Sequence, residues 1–460
     1  MPFIKAEMAE GFAGLKTLVV GLGSTGIAVS RFLKRLGAEV SAVDAKPMED
    51  IPGAAALAAE GVKVRSGPEW REGFLSASIV VVSPGVPSRS PLLQAARSRG
   101  AEVISDVELA YRFMDVPVIA VAGTNGKTTT TTLLGNIFEK AGKRAFVGGN
   151  IGTPAIEFFD REERAEAAVL EISSFHLEST KSFNPHIGVL LNITEDHLDR
   201  YDGFDDYART KMRLFENQRA EDYAVINAAD PVIAAMFEEN PAAATVVPFT
   251  VRGALTEGLF LKGSEIVFIN RALGIEETYP TDILRIRGVQ NIENAMAAAA
   301  AARLYGISRD VVMETFAEFG GLRHRMEFVR EFEGVRYIND SKGTNIGALK
   351  MALSGIDSPV ILIAGGRDKG GDYGALSGLV RGKVKLLITM GEAGPRIRDA
   401  FSGSVKTASA SSLEEAVLKA RREAGPGDTV LLSPACSSFD MFRGFKERGE
   451  RFRTLVKGLA

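Results

Sequence analysis

At 460 residues the chain is longer than one hydrophobic core usually serves, so two to four domains are expected. Its 45% hydrophobic and 25% charged residues are the balance of a soluble globular protein, and a net charge of −3 without a basic block excludes a sequence-independent grip on nucleic acid. The single cysteine, Cys436, excludes an intramolecular disulfide and suits a reducing compartment. The N-terminal residues lack a signal-peptide core and the Ala-rich run 295–302 is too short to span a bilayer, so a cytoplasmic protein without membrane contact is expected.

The first block covers roughly 15–112. Lys16-Thr17-Leu18-Val19-Val20 is predicted as a buried strand, followed by the turn Gly21-Leu22-Gly23-Ser24-Thr25-Gly26 and a helix through Leu36 that Gly37 closes. Ala38 to Val43 is the next strand, ending at Asp44, and Ile79-Val80-Val81-Val82 another, ending in Ser83-Pro84-Gly85. Gly21-x-Gly23-x-x-Gly26 with an acidic residue after the second strand has the form of a dinucleotide fingerprint. Taken alone it suggests an NAD-dependent oxidoreductase. The turn itself specifies only that a phosphate or pyrophosphate can sit there.

The second block opens with the strand Val118-Ile119-Ala120-Val121-Ala122, which runs into Gly123-Thr124-Asn125-Gly126-Lys127-Thr128-Thr129. A strand turning tightly into a helix aims backbone N–H groups at one spot. Lys127 adds a point charge for β- and γ-phosphates, and the Thr128 hydroxyl can ligate Mg²⁺. The spacing is a shortened G-x-x-G-K-T, since Val121 stands where the longer pattern has its first glycine. Strands are predicted at Ala167 to Ile172, Ile187 to Asn192 and Tyr223 to Asn227. On the carboxyl rim of a parallel sheet, Glu171 can share a Mg²⁺ with Thr128, and Asn192-Ile193-Thr194-Glu195-Asp196-His197-Leu198-Asp199 reaches the same rim. Lys211, on a predicted helix over 207–215, reads from composition as a solvated surface lysine. The block closes with helical stretches from Asn291 to Leu304 and from Val311.

The third block follows Gly320-Gly321, with strands predicted at Val335 to Asn339, Val360 to Ala364, Leu386 to Met390 and Thr429 to Ser433. Alternating strands and helices imply an α/β protein with mostly parallel sheets. Three domains are expected, over 1–112, 113–321 and 322–460: Rossmann-like, phosphate-loop ATPase-like and Rossmann-like.

The phosphate loop, Glu171-Ile172-Ser173-Ser174-Phe175 and the run from Asn192 to Asp199 together resemble the Mur ligases. Asn339-Asp340-Ser341-Lys342-Gly343-Thr344-Asn345, Gly365-Gly366-Arg367-Asp368-Lys369-Gly370 and Ser433-Pro434-Ala435-Cys436-Ser437-Ser438-Phe439-Asp440 are similar to the D-glutamate-adding branch, and the Ser83-Pro84-Gly85 turn agrees. The resemblance implies a monomeric, ATP-dependent ligase of peptidoglycan precursor synthesis that joins D-glutamate to UDP-N-acetylmuramoyl-L-alanine through an acyl phosphate. The alternative within the family is a sister ligase adding another amino acid.

It also implies roles for individual residues. Gly23, Ser24, Thr25, Asp44, Ser83 and Asn150 would contact the UDP substrate. Residues 123–129 with Asn291, Asn294, Arg325 and Asp340 would bind ATP. Thr128 and Glu171 would hold one Mg²⁺, and His197 with a carbamylated Lys211 a second; Lys127, Glu171, His197 and Lys211 would be catalytic. Lys342, Thr344, Lys369, Ser438, Phe439 and Phe445 would form the D-glutamate pocket; without the resemblance, Phe439 and Phe445 read as core aromatics and Thr344 as a helix-start turn. His176 stands where the family has glutamine. Reaction across three domains further implies closure on binding.

Overall fold

Runs of β-branched and aliphatic residues build three sheets in chain order, in a computed structural model that describes residues 10–67, 70–71, 74, 76–198, 200–368 and 370–459. The first sheet holds β1 (Lys16–Val20), β2 (Glu39–Asp44), β3 (Lys63–Ser66), β4 (Ile79–Val82) and β5 (Glu102–Ser105) in the order β3-β2-β1-β4-β5. Every pairing in it is parallel. The predicted helix spans Ser24–Arg35 and buries Ile27, Val29, Phe32 and Leu33, with Gly37 in the left-handed region at φ 82°.

The second sheet holds β6 (Val118–Ala122), β7 (Ala145–Gly149), β8 (Ala167–Glu171), β9 (Ile187–Leu190), β10 (Tyr223–Asn227), β11 (Thr245–Thr250), β12 (Gly258–Lys262), β13 (Glu265–Asn270) and β14 (Ile275–Pro280). Its order is β14-β13-β12-β11-β10-β9-β6-β8-β7. β7 through β12 pair in parallel, and β13 returns antiparallel on β12. Strands β11 to β14 were not expected: Pro248 interrupts the first, and the half-exposed faces of the rest carry a weak apolar signal.

The third sheet holds β15 (Glu327–Phe332), β16 (Val335–Asn339), β17 (Val360–Gly365), β18 (Val384–Met390), β19 (Lys406–Ser409) and β20 (Thr429–Leu432), in the order β15-β16-β20-β17-β18-β19. Only β15 is antiparallel to its neighbour. The chain enters at β15, and its last strand, β20, inserts between β16 and β17, which creates a switch point at their carboxyl ends.

The described chain forms two compact units. One carries the first and second sheets; the other carries the third sheet with the segments Thr194–Tyr201 and Pro280–Asn294. Within the first unit, the fully buried Glu108 fastens the helix Asp106–Phe113 to the chain of the second sheet. Its carboxylate accepts the N–H groups of Lys181 (2.9 Å), Ser182 (3.0 Å) and Phe183 (2.9 Å), the Ser182 hydroxyl (2.6 Å) and Arg112 Nε (2.9 Å). Burial pushes this carboxyl up, but the donors outweigh it and hold the group below the usual range. His176 is buried beside the same junction in a capping box with Ser173, its Nε2 3.7 Å from Asp106. Its ring is thereby used inside the fold.

Candidate active site

Gly21 adopts φ 90° and Gly26 packs so close that an added Cβ would lie 1.8 Å from the Gly21 carbonyl oxygen. Only hydrogen fits at Gly26, so the turn needs these two glycines, while a Cβ at Gly23 would meet nothing. Gly23 caps the following helix without a side-chain hydrogen bond, and exposed Ser24 and half-buried Thr25 open its first turn. Asp44 was expected to contact the UDP substrate, and its carboxylate accepts the N–H groups of Leu22 (2.7 Å) and Lys46 (2.9 Å), bracing the turn itself. Ser83 donates to the Gly21 carbonyl at 2.8 Å. Both therefore brace the glycine turn through its backbone.

In the second sheet β9, β6 and β8 are neighbours, so the loops after them share one rim. Gly123 (φ 148°) and Gly126 (φ 88°) turn the chain into the helix Lys127–Lys140. Asn192 clamps this loop: its Oδ1 accepts the Asn125 N–H at 2.8 Å and its Nδ2 donates to the Asn125 carbonyl at 3.1 Å. The Thr124 hydroxyl meets the Tyr207 hydroxyl at 3.0 Å. Asn192 lay in a recognised motif and Tyr207 in a recognised helix, but neither had been assigned a role at the loop. Thr129 is buried on the helix's first turn, Thr128 half-buried beside it.

Lys127 Nζ folds over the loop onto the carbonyls of Gly123 (2.7 Å) and Thr124 (2.8 Å). Lys211 Nζ donates to the same Gly123 oxygen at 2.9 Å and lies 4.8 Å from the Tyr207 ring centre. With 2% exposure, Lys211 is not the surface lysine its composition suggested, and its helix spans Phe204–Met212, with a 3₁₀ turn Arg213–Phe215 completing the expected stretch. Two ammonium groups on one carbonyl repel each other, and an anion in the loop or loss of one charge relieves that repulsion.

Glu171, 2% exposed at the end of β8, accepts Asn150 Nδ2 on Oε1 at 2.8 Å. Its Oε2 is buried without a hydrogen-bond partner. An orphaned carboxylate oxygen beside a phosphate loop is the donor a hard divalent cation would satisfy, so Thr128 and Glu171 fit a Mg²⁺ site. Asn150 positions that carboxylate. Among the described residues no group of three or more His, Cys, Asp or Glu side chains clusters as a metal site.

The second unit carries the other expected residues. His197 holds an uncommon φ of 54°; its N–H meets Asp196 Oδ1 at 3.0 Å, and Asp196 Oδ2 accepts Asn345 Nδ2 at 2.9 Å. Asn291 and Asn294 lie on the helix Val289–Leu304 and bond each other at 3.1 Å. Arg325 is half-buried, and buried Asp340 accepts the Met326 N–H (3.2 Å) and the Ser433 hydroxyl (2.8 Å). Burial pushes the Asp340 carboxyl up to about 7, against these donors and the charges of Arg325 and Arg448.

Lys342 and Thr344 follow β16, and Ser438 follows β20, on adjacent strand ends. Lys342 Nζ sits 4.2 Å over the Phe445 ring. Thr344 lies just before the helix Ile346–Ser354, which Asn345 caps. Phe445 is half-buried and Phe439 is 65% exposed, so neither is a core aromatic. Lys369 lies outside the described residues, as does Asp199 of the histidine motif.

Compared with known proteins, residues 15–105 match the Mur ligase MurD-like N-terminal domain, 121–302 the Mur ligase middle domain and 324–436 the Mur ligase glutamate ligase domain. The chain is 49% identical over 448 residues to the UDP-N-acetylmuramoylalanine–D-glutamate ligase of Geobacter metallireducens, covering 97% of this chain and 98% of that one. It is 48% identical over 445 residues to the protein of the same name from Geotalea uraniireducens, with 96% and 97% covered. Among solved structures it shares its fold with a pseudomurein peptide ligase type C from Methanothermus fervidus (TM-score 0.61, 21% identity, 96% and 99% covered). A ligase from Thermotoga maritima solved with ADP is similar too (TM-score 0.59, 16% identity, 98% and 97% covered).

Proposed function

The chain belongs to the Mur ligase family, and from that premise we propose that it joins D-glutamate to UDP-N-acetylmuramoyl-L-alanine with ATP in peptidoglycan precursor synthesis. What carries the reading is likeness over nearly the whole chain to relatives named for that reaction. The phosphate loop with its two converging lysines and the orphaned Glu171 oxygen support it. Membership of this family sets aside the oxidoreductase reading of the first glycine turn, where the UDP pyrophosphate would sit instead, near Gly23, Ser24 and Thr25.

The γ-phosphoryl group of ATP passes to the alanine carboxylate, forming an acyl phosphate and ADP. The amine of D-glutamate then attacks the activated carbonyl, and phosphate leaves. Three anionic groups must converge, so the protein's part is positioning and charge neutralisation. Backbone N–H groups of residues 123–128 and the Lys127 ammonium hold the phosphates. Thr128 and Glu171 would hold one Mg²⁺, and His197 with Lys211 as its carbamate a second, supplying positive charge against the transferring group. Carbamylation would convert a repelling amine beside Lys127 into a carboxylate-like ligand. Asn291, Asn294, Arg325 and Asp340 would contact ATP, and Lys342, Thr344, Lys369, Ser438, Phe439 and Phe445 the amino acid. The domain limits 1–112, 113–321 and 322–460 would divide UDP, ATP and amino-acid binding. The enzyme would act as a cytoplasmic monomer; no helix of the described residues is long and apolar enough to cross a membrane.

Phosphate release from ATP, measured with UDP-N-acetylmuramoyl-L-alanine, Mg²⁺ and one amino acid at a time, tests this. Release confined to D-glutamate is expected. Release with a different amino acid would make the chain a sister ligase, and release with none would end the ligase reading.

A further inference from the structure

Arg448 is 1% exposed, an unusual place for a guanidinium. It sits one helical turn beyond Phe445 on the helix Phe445–Lys457 and points beneath the carboxyl ends of β16, β20 and β17, three adjacent parallel strands. A guanidinium has five N–H donors, and here each has an acceptor. Nε donates to Ser341 Oγ (3.0 Å), and the two terminal nitrogens to the carbonyls of Ser341 (2.9 Å), Cys436 (3.2 Å), Ser437 (3.3 Å) and Gly365 (3.4 Å). Ser341 belongs to the loop after β16, Gly365 ends β17, and Cys436 and Ser437 follow β20. One planar fork thus spans the loops after β16, β17 and β20, the first and last of which carry Lys342, Thr344 and Ser438.

The packing leaves little freedom around this fork. A Cβ on Gly366 would lie 2.1 Å from the Ser437 carbonyl oxygen and 3.1 Å from an Arg448 terminal nitrogen. The Ser341 hydroxyl, while accepting from Arg448, donates to the Phe445 carbonyl at 2.9 Å, tying the aromatic of the pocket to the same network. All five acceptors are neutral oxygens, so the buried charge is left without a bonded counter-ion. Burial pulls the group down to about 10, short of neutralising it at physiological pH. A cation held this way orders the loops that accept from it, with the Asp340 and Asp440 carboxyls acting on it only through space.

We propose that Arg448 is a positioning residue of the amino-acid pocket, setting the mutual spacing of the loops after β16, β17 and β20 so that their side chains meet a dicarboxylate amino acid. The inference rests on the ligase reading above and goes beyond it by naming what holds the pocket in register. Lysine at this position keeps the charge but not the planar five-donor fan.

The test is steady-state phosphate release by the full chain with Arg448→Lys. The KM for D-glutamate is expected to rise by about tenfold or more, the size of effect that small misplacement of a binding group produces, with the KM for ATP unchanged. An unchanged D-glutamate KM, or a fall in kcat alone from loss of active protein, overturns the proposal. If Arg448→Lys does not fold, Ser341→Ala decides: it removes one acceptor and the tie to Phe445, and should raise the D-glutamate KM about threefold, where no rise overturns the proposal. The wild-type chain run alongside separates the two levels. Absence of D-glutamate-dependent release there overturns the ligase reading and this inference with it, whereas normal wild-type release with unshifted variants overturns this inference alone.

Discussion

Asp340→Asn should make the second unit more stable and the enzyme less active. Asp340 is 7% exposed at the end of β16, and burial raises its carboxyl to about 7 from an ordinary value of 3.8. A carboxyl whose folded value lies above its unfolded one favours the protonated form on folding, so stability is lost as pH rises between those two values. The full penalty for the ionised form is about 4 kcal/mol, reached above pH 7. At pH 5.5 linkage gives about half of it, so the variant's advantage over wild type should grow by about 2 kcal/mol between pH 5.5 and pH 8. That increment does not depend on what asparagine itself gains or loses against Ser433 and Met326. Amide hydrogen exchange of peptides covering β16 and β20, in ligand-free protein and corrected for intrinsic rates, reads it directly. A stability gap that stays flat across that range would mean Asp340 titrates as an ordinary carboxyl, and the account of its burial would be wrong. Phosphate release should fall in the same variant, as the proposed contact of Asp340 with ATP requires.

Three further expectations concern the first unit. Glu108→Gln replaces a carboxylate that accepts five donors with an amide that can accept on one oxygen only, and should cost about 3 kcal/mol. Because its carboxyl is held low, wild-type stability from this group is present above the unfolded value and is lost as pH falls; the variant should lack that acid-side slope in denaturant unfolding followed at Trp70, and an identical slope would contradict the assignment. Gly26→Ala drives a methyl group into the Gly21 carbonyl and should destabilise the first sheet by about 3 kcal/mol while raising the KM for the UDP substrate; a variant with wild-type melting and KM would show that the turn is not sterically closed. Asn150→Ala removes the amide donor from the Glu171 carboxylate and should raise the Mg²⁺ concentration for half-maximal phosphate release by about tenfold; an unmoved Mg²⁺ titration would remove Asn150 from any metal-positioning role.

Where a residue's role follows from its neighbours in sequence, the chain could be read directly. Val118 to Ala122 is an uninterrupted apolar run followed by two glycines and a lysine, and the structure places strand, turn and helix there as that pattern requires. The same held for Lys16 to Val20 and its glycine turn. Half-exposed strands such as Glu265–Asn270 gave no comparable signal, because alternation over six residues competes with ordinary loop composition. Lys211 shows a harder limit. Its helix reads as polar, and its burial is decided by the Gly123 carbonyl, 88 positions earlier.

Arg448 extends that limit to function. Its partners lie 107, 83, 12 and 11 positions away, and among residues 445–457 it is one of several arginines and lysines with nothing local to distinguish it. A helix of that composition presents most of its cations to water, and only the juxtaposition of β16, β20 and β17 selects one to go inside. The selecting feature is the strand order: because β20 inserts between β16 and β17, their three loops converge on one point, and a residue with five divergent donors is what that point can use. Lysine, with three donors on a flexible stem, cannot serve all five of those acceptors. The requirement for arginine at 448 is therefore a property of the sheet's topology, which local sequence patterns do not encode.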